Sequence, residues 1–293
     1  MVEPEEDKVE VDPRTPAEYA LHAVFIRFAT AAEHKIGKFL KQPLVSLQSF
    51  RPILSLRIQD HEPPLSEFLG PGVDTKFDDI LKTLGRIGQK NAKPVVDSIR
   101  RWRQSQNSSV IPPDITRLQF TQSPASTLRG NRLQDTLTER KSLAAIYIMC
   151  RALIVVMQSL SKDALGESIG FNLEETTFEQ FRRPDLKLLS QSANHRTNAE
   201  LYATLLGYLA NSRFISVTDR FLAELAPVAS GHVVKDVDLR YENLVRGLKH
   251  IQIKVGYTSS DRFCLLTRLK SPGLASGVFR RRRRVYGGTG QGV

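Results

Sequence analysis

The run from Glu139 to Leu160 constrains this chain more than any other stretch. Leu143, Ile146, Tyr147, Cys150, Leu153, Ile154, Met157 and Leu160 recur at spacings of three and four, which sets a wide apolar band along one helix. A helix apolar over so much of its surface belongs at the centre of a helical layer. Leu143 to Leu160 is the most apolar run, yet it contains Arg151 and Gln158. A membrane span needs about 20 mostly apolar residues, so a buried core helix is the better reading.

Other helices flank it. Thr15-Pro16-Ala17-Glu18 reads as a helix start, with Thr15 as cap, Pro16 at the first helical position and Glu18 closing a capping box. Leu21, Phe25, Phe28, Ala32, Ile36 and Phe39 continue on one face, and the helix ends before Pro43. A second helix is expected over 76–89, and a third from Pro94 with Val95, Ile99 and Trp102 inward. Further helices are expected at 173–182, 197–211, 214–226 and 237–250, punctuated by Pro184, Pro227 and Gly231. Prolines and glycines make 44–75 an irregular insertion or loop, and a Ser/Gln/Thr/Pro-rich composition makes 104–137 a flexible linker. Residues 1–14 are polar and read as disordered. Strand-like alternation is nearly absent, so the fold class is all-α, built from antiparallel helical pairs.

The length of 293 residues allows one or two domains at roughly 150 residues each. Apolar residues at 41% supply a core, and two cysteines exclude a disulfide scaffold. The net charge of +11 is unevenly spread: residues 256–293 hold eight cations and one anion, so residues 1–255 carry only +4. A body at +4 is a weak footprint for nucleic acid. Met1 to Asp12 is acidic and lacks a secretory signal, which with the buried-helix reading leaves the cytoplasm or nucleus.

No motif supplies catalysis, a cofactor site or a metal site. Gly85-Arg86-Ile87-Gly88-Gln89-Lys90 lacks the spacing and final Ser or Thr of a phosphate loop. His22, His34, His61, His195, His232 and His250 form no ligand pair at metal spacing. The basic-aromatic cluster Arg100-Arg101-Trp102-Arg103 is a candidate for phosphate contacts with Trp102 stacking on a base. The plainer reading is favoured, with Trp102 in the apolar stripe and the arginines on the solvated face. Arg182 and Arg183 sit at a helix end, where cations offset the dipole. Arg100, Arg101, Arg103, Arg182 and Arg183 are the partner-binding candidates.

Several strings resemble the N-terminal domain of the Furry-like cell-morphogenesis proteins of filamentous fungi. They run from Ala17 to Leu44, Phe68 to Leu81, Glu139 to Ile154 (containing RKSLAAIYIMCRALI), Leu173 to Phe214, Val217 to Gly231 and Tyr241 to Val255. The resemblance implies a HEAT- or armadillo-like solenoid segment over 15–255. It also implies a non-enzymatic scaffold of cell morphogenesis and polarised growth. The implied partners are an NDR-class kinase and its Mob co-activator, with no small-molecule substrate. The implied location is cytoplasmic, at the cell cortex and sites of polarised growth, by peripheral association without a transmembrane segment.

Two regions depart from the family. Val45 to about His61 reads as an insertion, which a retained intron would explain. From Gly256 the chain leaves the family pattern, and codons for Phe279 to Val293 can be chosen so that the +1 frame restores it. The expectation is a non-native or disordered basic tail over 256–293, and a native product far longer than 293 residues. The alternative function, resting on the overall basicity and the arginine clusters, is a basic all-helical nucleic-acid-binding protein.

Overall fold

A computed structural model of the chain describes residues 15–43, 62–108, 127–161, 164–231 and 238–251, with side chains masked at 108, 127–133 and 238–239. The expectations for 1–14, for Val45–His61 and for 256–293 lie outside these residues. The described chain is helical and contains no strand. Its elements are α1 (Pro16–Leu40), α2 (Leu65–Leu69), α3 (Thr75–Lys90), α4 (Ala92–Ser108), α5 (Thr127–Ser159), α6 (Glu167–Arg182), α7 (Leu186–Gln191), α8 (Ala193–Leu209), α9 (Phe214–Ala229) and α10 (Asp238–Leu248).

The start of α1 is as its sequence dictates. The Thr15 hydroxyl accepts from the Glu18 amide, and the Glu18 carboxylate accepts from the Thr15 amide at 2.7 Å. Elsewhere the boundaries move. Helix α4 begins at Ala92 and not Pro94, because proline in a first turn gives up an amide that has no helical partner. It runs to Ser108, and α5 begins at Thr127, so the linker expected over 104–137 is helical at both ends. Residues 109–126 are not described. The short α2 lies inside the stretch expected to be irregular. Helix α6 starts at Glu167, six residues before its expected position, and carries Gly170 inside it. The glycine has a packing reason: a Cβ there would stand 2.8 Å from Arg213 Cδ. Pro227 lies inside the last turn of α9 and ends it two residues later.

The chain divides into two compact units. The first comprises residues 1–169 and 187–201. Helix α5 is its centre, as its breadth of apolar surface requires, and α1, α2, α3 and α4 pack on it. Phe28 stacks on Phe77 at 6.1 Å between ring centroids and takes the edge of Trp102 at 5.2 Å. Each such ring buries enough apolar surface for about 1.5–3 kcal/mol. Gly85 and Gly88 let α3 approach α5 closely: a Cβ at Gly85 would lie 2.6 Å from Ser159 Oγ, and one at Gly88 would lie 3.1 Å from Val156 Cγ1.

The second unit comprises residues 170–186 and 202–293. Its described core is a triad of rings, with Phe178 meeting Phe221 edge-on at 5.0 Å and Phe181 at 6.0 Å from Phe221. Gly247 on α10 makes room for them, since a Cβ there would touch Phe181 and Phe221 at 3.0 Å.

Candidate functional site

The cations divide into two populations, one absorbed by the packing and one left facing water. In the first unit, Arg140 is buried and donates to the carbonyls of Phe39 at 3.2 Å and Gln42 at 3.1 Å, at the end of α1. It also pairs with Glu62 at 3.3 Å and lies 5.0 Å from the Phe39 ring centroid. Burial pulls its pKa below the ordinary arginine value, and Glu62 opposes that. Arg151 donates to Leu69 O and to Asp78 at 2.6 Å. Burial raises the Asp78 pKa, but the Gly72 amide at 2.7 Å and Arg151 outweigh it and hold the carboxyl below its ordinary value. Gly72 reaches that position with φ of 81°. Asp74 caps α3 by accepting from the Phe77 amide at 3.1 Å and pairs with Lys35 at 3.1 Å, which depresses its pKa too. Asn194 brackets the start of α2, accepting from the Leu65 amide and donating to Pro63 O, both at 3.0 Å.

In the second unit the Glu174 carboxylate is fully buried. It accepts from Arg213 Nε at 2.9 Å, from Ser216 Oγ at 2.7 Å and from Arg220. Arg220 also reaches Glu175 and lies 5.2 Å from the Phe171 ring centroid. Burial disfavours its charge, but the two carboxylates outweigh that and raise its pKa. Local periodicity cannot reveal this cluster, because Glu174 lies 39 to 46 positions from its partners.

The arginines singled out in the sequence separate accordingly. Arg182 pairs with Glu224 at 3.1 Å, and Arg183 with Glu179 at 3.4 Å one turn earlier. Arg103 donates to Ser142 Oγ at 2.8 Å and to Asn107. Trp102 is 4% exposed and belongs to the core, as the plainer reading has it. Arg101 is exposed and bonds its own helix at Asp97 O, and Arg100 is half-buried beside it.

Those two mark the edge of a larger feature that the sequence reading missed. The outward side of α3 presents Lys76, Lys82, Arg86 and Lys90, all exposed, and α4 adds exposed Lys93. Lys82, Arg86 and Lys90 repeat every four residues, which sets them on one helix face. That spacing is present in the sequence, where 76–89 reads as a helix and Gly85 to Lys90 as a failed phosphate loop, neither of which singles out the cations. Asp79 is the exposed acid among them and pairs with Lys82 at 3.2 Å. No group of three or more His, Cys, Asp or Glu placed to hold a metal occurs among the described residues. Cys150 is a buried free thiol whose pKa burial drives far upward. Within α5, Gln134–Ser159 is long and apolar enough by composition to cross a membrane, but its most apolar stretch is 67% buried inside the fold.

Comparison with known proteins finds similar chains. Residues 139–262 match the family described as cell morphogenesis N-terminal, a match that runs past Gly256, where the sequence reading expects the family pattern to end. The chain is similar to cell morphogenesis protein PAG1 of Saccharomyces cerevisiae, at 25% identity over 323 aligned residues, covering 83% of this chain and 13% of that protein. It is also similar to cell polarity protein mor2 of Schizosaccharomyces pombe, at 26% identity over 247 residues, covering 84% of this chain and 10% of that protein. The chain therefore spans between 10% and 13% of the length of these curated relatives. No solved structure matches it. The resemblance carried by the strings between Ala17 and Val255 and the match over 139–262 agree, and both liken the chain to the Furry-like cell-morphogenesis proteins.

Proposed function

We propose that this chain is a non-catalytic, protein-binding segment of a cell-morphogenesis scaffold, with residues 15–255 as its working region. The observation that carries the reading is the match of residues 139–262 to a cell-morphogenesis family, together with relatives named for morphogenesis and polarity. The architecture is compatible with that role. Successive helices pack through broad apolar faces, and the deepest ionic groups, Glu174, Arg140 and Arg151, are occupied in holding helices together. In this reading the helices stack as antiparallel pairs in a HEAT- or armadillo-like segment, whose extended surfaces suit macromolecular partners.

The partners proposed are an NDR-class kinase and its Mob co-activator, and the place is the cytoplasmic side of the cortex at sites of polarised growth. A chimera tests this. The matching segment of the fission-yeast polarity protein is replaced by residues 15–255, and cell shape and co-precipitated kinase are scored. The expected result is polarised growth with the kinase and co-activator recovered. A stable chimera that recovers neither and yields round cells counts against the reading.

A further inference from the structure

Among the described residues, the basic outer face of α3 and α4 contributes little to the packing of the fold. Residues 75–103 contain eight cations (Lys76, Lys82, Arg86, Lys90, Lys93, Arg100, Arg101 and Arg103) against three acids, Asp78, Asp79 and Asp97. Their net +5 exceeds the +4 of residues 1–255, so the remainder of that stretch is slightly negative. Asp78 is turned inward to Arg151 and Arg103 to Ser142, so the outward side keeps seven cations against two acids, still a net +5. The net positive charge of residues 1–255 therefore resides in this hairpin, the other charges of that stretch nearly cancelling.

The hairpin is flat by construction. Only Asn91 separates α3 from α4. Both helices pack on α5, and their apolar residues, Phe77, Leu81 and Leu84 on one and Val95, Ile99 and Trp102 on the other, are buried. Their outward sides thus lie next to each other. Lys82 to Lys90 extends ~12 Å along the axis at 1.5 Å per residue. Two axes about 8–10 Å apart, each carrying side chains, make a face roughly 20 Å wide.

That shape and chemistry select among anionic partners. A base-stacking site needs an exposed ring, and Trp102 is buried against Phe28. A DNA major groove about 12 Å wide admits one helix and not two side by side. An acidic peptide held in register needs apolar anchors, and the exposed large hydrophobic residues Tyr19, Ile26, Val73, Phe171, Ile215 and Val245 all lie outside 75–103. What remains is a plane that reads charge density alone. The geometry points to a docking surface for an anionic phospholipid bilayer, formed by Lys76, Lys82, Arg86, Lys90, Lys93 and Arg101. This stands on the charge geometry and is independent of the kinase reading.

The test uses the full chain with Arg280 to Arg284 changed to Gln in every sample, so that the tail contributes equally and little. Sedimentation is measured with phosphatidylcholine vesicles containing phosphatidylserine, at physiological ionic strength. Each cation near such a surface strengthens binding about fivefold, so Lys82→Gln with Arg86→Gln and Lys90→Gln should weaken it roughly a hundredfold. The charge-keeping set Lys82→Arg, Arg86→Lys and Lys90→Arg should bind like the parent. Lys38→Gln with Lys41→Gln and Lys249→Gln, a removal of equal charge elsewhere, should weaken binding less than tenfold. The proposal is overturned if the two neutralised sets lose equally, if the first set binds like the parent, or if the parent prefers duplex DNA to the vesicles in the same buffer.

Discussion

Replacing Glu174 by Ala should destabilise the second unit more than any surface change of equal size. The carboxylate is fully buried and joins Arg213, Ser216 and Arg220 across two helices. The side chains of Arg213 and Arg220 are only 17% and 20% exposed, so both guanidiniums would be left largely dry and facing a void. Removing one partner of a buried pair costs about 3–5 kcal/mol. Arg220 keeps Glu175, whose side chain is 44% exposed, which places the expected loss near the lower end, ~3 kcal/mol. Glu174→Gln keeps the volume and an acceptor oxygen and should lose about 1.5–3 kcal/mol, the range for hydrogen bonds to charged groups. Apolar replacement of all three, Glu174→Leu with Arg213→Met and Arg220→Met, should recover most of the loss, because no charge is then stranded. The assay is urea unfolding followed by far-UV circular dichroism. Trp102, the single tryptophan, reports separately on the first unit by fluorescence. A Glu174→Ala variant within about 1 kcal/mol of the parent would refute the reasoning, since it would mean that water already solvates the cluster.

Two further outcomes concern the first unit. Asp74 and Asp78 have folded-state pKa values below their ordinary 3.8, so their stabilisation is complete above that value and is lost as pH falls through the lower folded values. Trp102 fluorescence should therefore show the first unit weakening from about pH 4 downward, and Asp78→Asn should flatten that slope; equal acid slopes in both proteins would contradict it. Gly85→Ala should destabilise by about 1–3 kcal/mol, because its Cβ would meet Ser159 Oγ at 2.6 Å and Val155 O at 3.2 Å. Ser159→Ala in the same chain should return part of that loss in thermal unfolding, whereas no recovery would place the strain elsewhere.

What could be read from the sequence was whatever is written in local spacing. The capping box of α1, the breadth of α5 and the inward stripe through Trp102 each depend on residues within a few turns, and each is present. The reading failed where a residue's purpose lies far along the chain. Helix α6 extends six residues ahead of the expected 173 and contains Gly170, over which Arg213 passes from 43 positions further on. The Ser/Gln/Thr-rich beginning of α5 has the composition of a linker and is helical nonetheless, since propensity is a weak prior that context overrides. Glu174 resembles its neighbour Glu175 in sequence, and only the packing of α6 with α9 makes one of them buried and the other surface. The basic face was half legible: Arg100 and Arg101 stood out as a cluster, while the period-four cations of α3 did not.

Arg140 carries a consequence for how such a gene can change. One guanidinium holds the carbonyls of Phe39 and Gln42 on one side and the carboxylate of Glu62 on the other. The end of α1 and the approach to α2 are therefore fastened within a single side chain's span. That fastening depends on residues 39, 42, 62 and 140 alone, so a change in chain length between Gln42 and Glu62 that spares them would alter the closure entropy only logarithmically.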